Sequence, residues 1–194
     1  GFLNSLFNYA NSRGMTVVVS AGNDWADLDH IPNLYKTYCS TPNTICVSAT
    51  GPLSGGTAGP WEDPDAPAPY TNYGRSAINV AAPGGTAGYI GEFPGGYFNG
   101  GAGVWAACST SSLIHPICGS GLTYVLRLNG TSMAAPHVSG LAALVVEDVG
   151  RKPGQVRSLI QRGADDLGKK GTDPFYGKGR INVFGTAFLN GKKK

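Results

Sequence analysis

The chain is poor in charge. Of its 194 residues only 14% are Asp, Glu, Lys or Arg, against roughly 25% in average soluble proteins. Its 15 basic and 12 acidic residues leave a net charge of +3. That balance is too slight, and too scattered, for a nucleic-acid surface. The single basic run, Lys192-Lys193-Lys194, reads as a solvated tail. No apolar run approaches the roughly 18 residues of a membrane span; the longest strong one is Leu141–Val146. Histidine is scarce, with three residues, and no cysteine pair has the spacing of about two to four residues used by zinc ligands. No targeting signal is visible. Glycine, at 30 residues, and proline, at 13, are abundant instead. Glycine at that density excludes a helix bundle, and its lack of a three-residue period excludes collagen. Seven Phe, three Trp and nine Tyr exclude a disordered chain. What remains is a compact, loop-rich domain, long enough for one core.

The four cysteines form two sequence-near pairs, Cys39/Cys46 and Cys108/Cys118. Two local disulfides are the simplest reading, although four cysteines allow three connectivities. Disulfides imply an oxidising compartment and hence secretion; four free thiols in a cytosolic protein are the alternative.

Along the chain, Phe2, Leu3, Leu6, Phe7 and Ala10 share one face at helical spacing, which predicts a helix over residues 2–12. Met15–Ala21, Ile45–Ala49 and Ile78–Ala81 read as strands, the first two buried on both faces. Helix followed by buried strand is the grammar of a parallel α/β sheet. Residues 24–43 and 51–70 read as loops, and 83–122 as a long stapled loop. Thr123–Leu128 is a short strand. Ser132–Val149 reads as a central buried helix, Pro153–Gly163 as a second and Val183–Leu189 as a third. No internal repeat or domain linker is visible. Because the first residues already read as helix interior, the expectation is a piece from the later part of a longer protein.

The chemistry concentrates in Asn129–Gly140. A tight Gly-Thr turn delivers Ser132 to the first turn of an apolar helix, beside unpaired N–H groups and the positive end of the helix dipole. That placement suits a nucleophile whose reaction builds an oxyanion. It equally suits a plain helix cap. Gly130-Thr131-Ser132-Met133-Ala134-Ala135-Pro136-His137-Val138-Ser139-Gly140 resembles the nucleophile motif of the subtilisin-like serine peptidases. Three further segments match that family in order. Ser20-Ala21-Gly22-Asn23 resembles its oxyanion-hole segment. Tyr70-Thr71-Asn72-Tyr73-Gly74 followed by Ile78-Asn79-Val80-Ala81-Ala82-Pro83-Gly84 resembles F-S-N-Y-G … V-D-V-x-A-P-G. Tyr176-Gly177-Lys178-Gly179-Arg180-Ile181-Asn182-Val183 resembles its closing segment.

The resemblance implies a three-layer α/β domain with a mainly parallel central sheet, of which residues 1–194 are the later part, the N-terminal portion lying upstream. It implies a secreted serine endopeptidase in which Ser132 attacks the scissile carbonyl. Asn23 and the Ser132 N–H would form the oxyanion hole, and Ser20, Ala21 and Gly22 would line the substrate pocket. Its partners would be protein or peptide substrates and an inhibitory propeptide. No cofactor is required, and calcium would enter only as a structural ion. In this family the triad runs Asp, His, Ser, and nothing here resembles the D-[ST]-G or H-G-T-H motifs. The missing pair is therefore expected upstream.

Among local histidines, His137 lies five residues after Ser132, about 140° around the helix and about 7.5 Å along it, so it is not a base for that hydroxyl. His115, within the second cysteine pair, and His30, beside Asp24, Asp27 and Asp29, are read the same way. Those three aspartates suggest hard oxygen ligands for calcium, or simply a solvated acidic rim. The Asn129-Gly130-Thr131 sequon is too tightly placed to be modified. A non-catalytic scaffold that binds partners through its aromatic loops is the competing reading, and the upstream sequence discriminates the two.

Overall fold

A computed structural model describes residues 1–30, 38–53, 63–86, 102–112, 116–121 and 124–191. Its elements are α1 (Phe2–Ser12), β1 (Val17–Ser20), β2 (Thr44–Thr50), β3 (Val80–Pro83), β4 (Val104–Ala107), the single turn α2 (Pro116–Gly119), β5 (Val125–Leu128), α3 (Thr131–Val149), α4 (Pro153–Gly163) and α5 (Val183–Gly191). The first three strands form a parallel sheet in the order β1-β2-β3. Val18 pairs with Ile45, and Val47 with Val80.

β2 is the centre, and all seven of its residues are buried. Strand alternation sends Ile45, Val47 and Ala49 into one core with Val80 and Ala82 of β3. Ala134, Val138, Leu141 and Val145 of α3 and Val156 and Ile160 of α4 close that core. Cys46 faces the other way, into a smaller cluster with Cys39, Ala21 and Ile78. The α/β reading with a parallel sheet therefore holds.

Four local expectations change. β1 is not buried on both faces: among the described residues it lies at the sheet's edge, and its residues are only half-buried. The third strand starts at Val80, two residues late. Asn79 just before it instead bonds Cys46 twice, its N–H to the Cys46 carbonyl and its Oδ1 from the Cys46 N–H. α3 is buried on one face only; Pro136, His137, Ser139 and Leu144 lie exposed on the other. The described elements pack against one side of it. Finally, residues 83–122, expected as a long loop, contain β4, paired antiparallel with β5. A Val-Trp pair amid glycines carries too little pattern to announce a strand. Helix α1 forms as expected, but none of its residues is buried.

Both expected disulfides are present, Cys39–Cys46 and Cys108–Cys118. The first ties the turn at Tyr38–Ser40 to the central strand. Among the described residues no helix is long and apolar enough to cross a membrane.

The Cys39→Ala/Cys46→Ala double variant should lose about 2–3 kcal/mol, the loop-entropy value for so short a loop. Urea denaturation read by tryptophan fluorescence checks this; a midpoint unchanged from the parent would contradict a stabilising role.

Candidate active site

The candidate site lies where β1 runs out and α3 begins. Gly22 has φ +102°, a conformation side chains rarely adopt, and a Cβ there would come within 2.4 Å of Asn72 Nδ2. Glycine is therefore required for the chain to turn here. Past it, Asn23 points at the start of α3. Gly130, the N-cap, takes φ 147° and ψ 161°, a region essentially reserved for glycine.

Thr131 joins the two segments. It is fully buried. Its N–H donates to Asn23 Oδ1 at 2.9 Å and its hydroxyl donates to the same oxygen at 3.0 Å. The hydroxyl also accepts the Gly22 N–H at 3.1 Å. An N–H can only donate, so the Asn23 carboxamide must place its oxygen at Thr131. That leaves Nδ2 as the atom turned away from Thr131; it lies 3.5 Å, and Oδ1 3.7 Å, from where a Cβ on Gly130 would be.

The first turn of α3 has a defined set of donors. The Thr131 N–H goes to Asn23, and those of Met133 and Ala134 go to the Gly130 carbonyl. The Ser132 N–H has no acceptor among the described residues, and the Ser132 side chain is exposed. Among the described residues, Asn23 Nδ2 and the Ser132 N–H are thus the two amide donors without an acceptor at the positive end of a 19-residue helix.

Asn72 holds the other flank. It is 2% exposed, and its Oδ1 accepts the N–H groups of Asp24 and Ala26, both at 2.9 Å. Its Nδ2 donates to the Ala21 carbonyl at 3.0 Å, and its own N–H to the Gly22 carbonyl at 3.0 Å. The turn that carries Asn23 is therefore pinned on both sides of that residue. Tyr70 supports the second loop. Its Oη lies 2.9 Å from the Gly84 carbonyl and 2.5 Å from that of Gly85, and the Gly84 carbonyl also accepts the Gly130 N–H. Burial pushes the Tyr70 phenol well above its ordinary pKa, so it stays a neutral donor.

The pocket candidates are placed unevenly. Ala21 is 1% exposed and belongs to the core, whereas Ser20 and Gly22 are partly exposed beside Asn23. Two histidines are engaged elsewhere. His137 Nδ1 lies 2.8 Å from the Met133 carbonyl, one turn back on α3. His30 pairs with Asp27 at 2.7 Å; the contact raises the imidazole pKa and lowers that of the carboxyl. His115 lies outside the described residues.

The three aspartates do not fit a shared cation. Asp27 faces His30, and Asp24 Oδ2 lies by Asn72 Nδ2. Asp29 accepts from the Ser76 hydroxyl and from the N–H groups of Ser76 and Ala77. Among the described residues no group of three His, Cys, Asp or Glu side chains converges. Thr131 and Asn72 are the site residues that sequence reasoning did not single out. Both stand inside the family-like motifs, but their partners are 108 and 48 residues away in the chain.

Residues 2–179 match the family model described as the subtilase family. Thermitase of Thermoactinomyces vulgaris is 29% identical over 94% of this chain and 47% of its own length. An extracellular protease of Xanthomonas campestris is 32% identical over 85% of this chain and 22% of its own. Among solved structures, a lanthipeptide protease superposes with a TM-score of 0.71 at 26% identity, over 96% of this chain and 54% of that one. The chain thus spans about half or less of these relatives.

Asn72→Ala should cost about 2 kcal/mol, because the part-buried N–H groups of Asp24 and Ala26 lose their acceptor at once. Thermal or urea unfolding measures this. A loss under about 1 kcal/mol would show that the turn holds without its pin.

Proposed function

This chain belongs to the subtilase family, and from that premise we propose that it is the later part of one serine endopeptidase domain with Ser132 as nucleophile. The observation that carries the reading is the pair of donors left beside Ser132, Asn23 Nδ2 and the Ser132 N–H, at the N-terminus of α3.

Ser132 Oγ attacks the scissile carbonyl carbon while a histidine takes its proton. That base and its aspartate come from sequence upstream of these residues, since His30 and His137 are bound to other groups. The carbonyl π pair moves onto oxygen, and Asn23 Nδ2 and the Ser132 N–H receive the anion. The aligned amides of α3 add a favourable field there. Because Asn23 is already oriented by Thr131 and its turn by Asn72, no reorganisation is needed as charge develops. The tetrahedral species collapses, the amine leaves with the base's proton, and water hydrolyses the acyl group on Ser132 by the same steps in reverse. Ser20, Ala21 and Gly22 contribute backbone to the pocket for the residue before the cleaved bond.

The partners are protein or peptide substrates, with an inhibitory propeptide upstream, and the location is extracellular. Support comes from the two disulfides and from the extracellular relative. A calcium ion would be structural, with ligands other than the aspartates of residues 24–29.

In the full-length protein a serine-directed fluorophosphonate should label Ser132, and Ser132→Ala should abolish casein hydrolysis; label elsewhere or retained hydrolysis overturns the assignment. Asn23→Ala should lower kcat by about 10²–10³, the range that applies to losing one oxyanion donor in subtilisin, with little change in KM. An unchanged kcat would remove Asn23 from the oxyanion hole.

A further inference from the structure

One bulky side chain beside the site sits on a backbone that bulky residues avoid. Trp25, two residues past Asn23, has φ +52°, in the left-handed region. For a residue of that size the conformation is a genuine outlier. Such residues persist only where their surroundings over-determine them. Burial does not account for this one, since Trp25 is 48% exposed.

The surroundings are specific. The Trp25 N–H donates to the Tyr70 carbonyl at 3.0 Å. On either side, the N–H groups of Asp24 and Ala26 go to Asn72 Oδ1, and the Ala26 carbonyl accepts the Tyr73 N–H at 3.0 Å. The indole stacks on Phe175, with ring centroids 5.5 Å apart and planes at 28°, and meets Tyr73 at 5.5 Å. Tyr73 and Phe175 complete the triangle at 4.9 Å. Phe175 is itself anchored. Its N–H donates to Oδ1 of the buried Asp173 at 2.7 Å, and its carbonyl accepts the Ser48 hydroxyl of β2. Beside it, the Pro174 carbonyl accepts the Gly74 N–H at 2.8 Å. The indole therefore lies against a plate tied to the central strand and to the segment between α4 and α5.

Without its ring contacts, a residue with a side chain at position 25 would gain by rotating to negative φ. Only two peptide units separate it from Asn23, so the rotation would carry the carboxamide away from the start of α3. The Thr131 bonds and the ring stack thus act at opposite ends of one short segment. We propose that Trp25 is a positioning residue: its stack on Phe175 and Tyr73 holds the turn so that Asn23 Nδ2 is aimed where the oxyanion forms. This rests on the endopeptidase reading. The contribution of Trp25 to catalysis then runs through Asn23.

The test is a double-mutant cycle in the full-length protein. The substrate is an internally quenched peptide that the parent cleaves, and fluorophosphonate labelling counts the active serine. Trp25→Ala should lower kcat about tenfold with KM little changed, a part of the loss expected for a whole oxyanion donor. In the Asn23→Ala background the same substitution should change kcat by less than about twofold. Trp25→Phe keeps a stacking ring and should recover most of the loss. Trp25→Gly should lose less than Trp25→Ala, because glycine adopts this φ freely; a role in packing alone predicts the reverse order. An equal fold-loss with and without Asn23, an unchanged kcat in Trp25→Ala, a loss confined to KM, or a glycine variant worse than the alanine one overturns the proposal. Should Trp25→Ala yield no folded protein, Phe175→Leu removes the stack from the other side. Its kcat should fall in the parent and not in Asn23→Ala, and an equal fall in both overturns the proposal. If the parent cleaves no peptide at all, it is the endopeptidase reading that fails.

Discussion

The site depends on one carboxamide being unable to turn round. Asn23 Oδ1 is claimed by both the N–H and the hydroxyl of Thr131, so its Nδ2 has only one direction left. Rotating the amide would set Nδ2 against the Thr131 N–H and leave a buried donor unpaired, a cost of about 1–3 kcal/mol. The lock joins the end of β1 to the start of α3 across 108 residues. Any change in how α3 packs on the sheet would therefore reach the site directly.

That packing explains why the sheet looks as it does. The small residues Ala49 and Ala82 and the β-branched Val47 and Val80 form the sheet face on which α3 lies, with Ala134 and Val138 opposite them. Ala134, fully buried, sits in the helix's first turns, so close approach is secured within one turn of Ser132. The other side of the turn is fixed by polar bonds through Asn72 and Tyr70 and by the stack of Trp25 on Phe175. A buried polar network with its bonds satisfied favours one geometry over others, as a site for charge development requires. The β4–β5 hairpin leans on the same Gly84–Thr86 segment, so the site and the hairpin share one support.

Much of this was legible in the sequence, for identifiable reasons. The runs at residues 15–21 and 45–49 announce strands because β-branched residues suit a buried pleat, and residues 132–149 announce a helix by length and periodicity. The cysteine spacings matched the observed bridges. Ser132 and Asn23 could be singled out because each stands in a long, specific motif, and the structure brings their two segments together. The rest depends on topology. That β1 lies at the edge among the described residues, and is therefore half-buried, follows from strand order, which Met15–Ala21 does not encode. The exposed side of α3 carries His137, Ser139, Glu147 and Asp148 but also Leu144; Leu144 and Leu141 are the same residue type and differ in what packs against them. β4 is not legible in the sequence because four residues among glycines become a strand only when β5 supplies the partner. Asn72 was visible as part of a motif, but its function as a pin exists only once residues 21–26 fold against it.

The most direct test of the central claim is a crystal structure of the full-length protein carrying a phosphonate adduct on Ser132. The account predicts one phosphonyl oxygen about 2.7–3.1 Å from both Asn23 Nδ2 and the Ser132 N–H, with Asn23 Oδ1 still on Thr131. A phosphonyl oxygen directed to solvent, or an Asn23 carboxamide turned the other way, would contradict it.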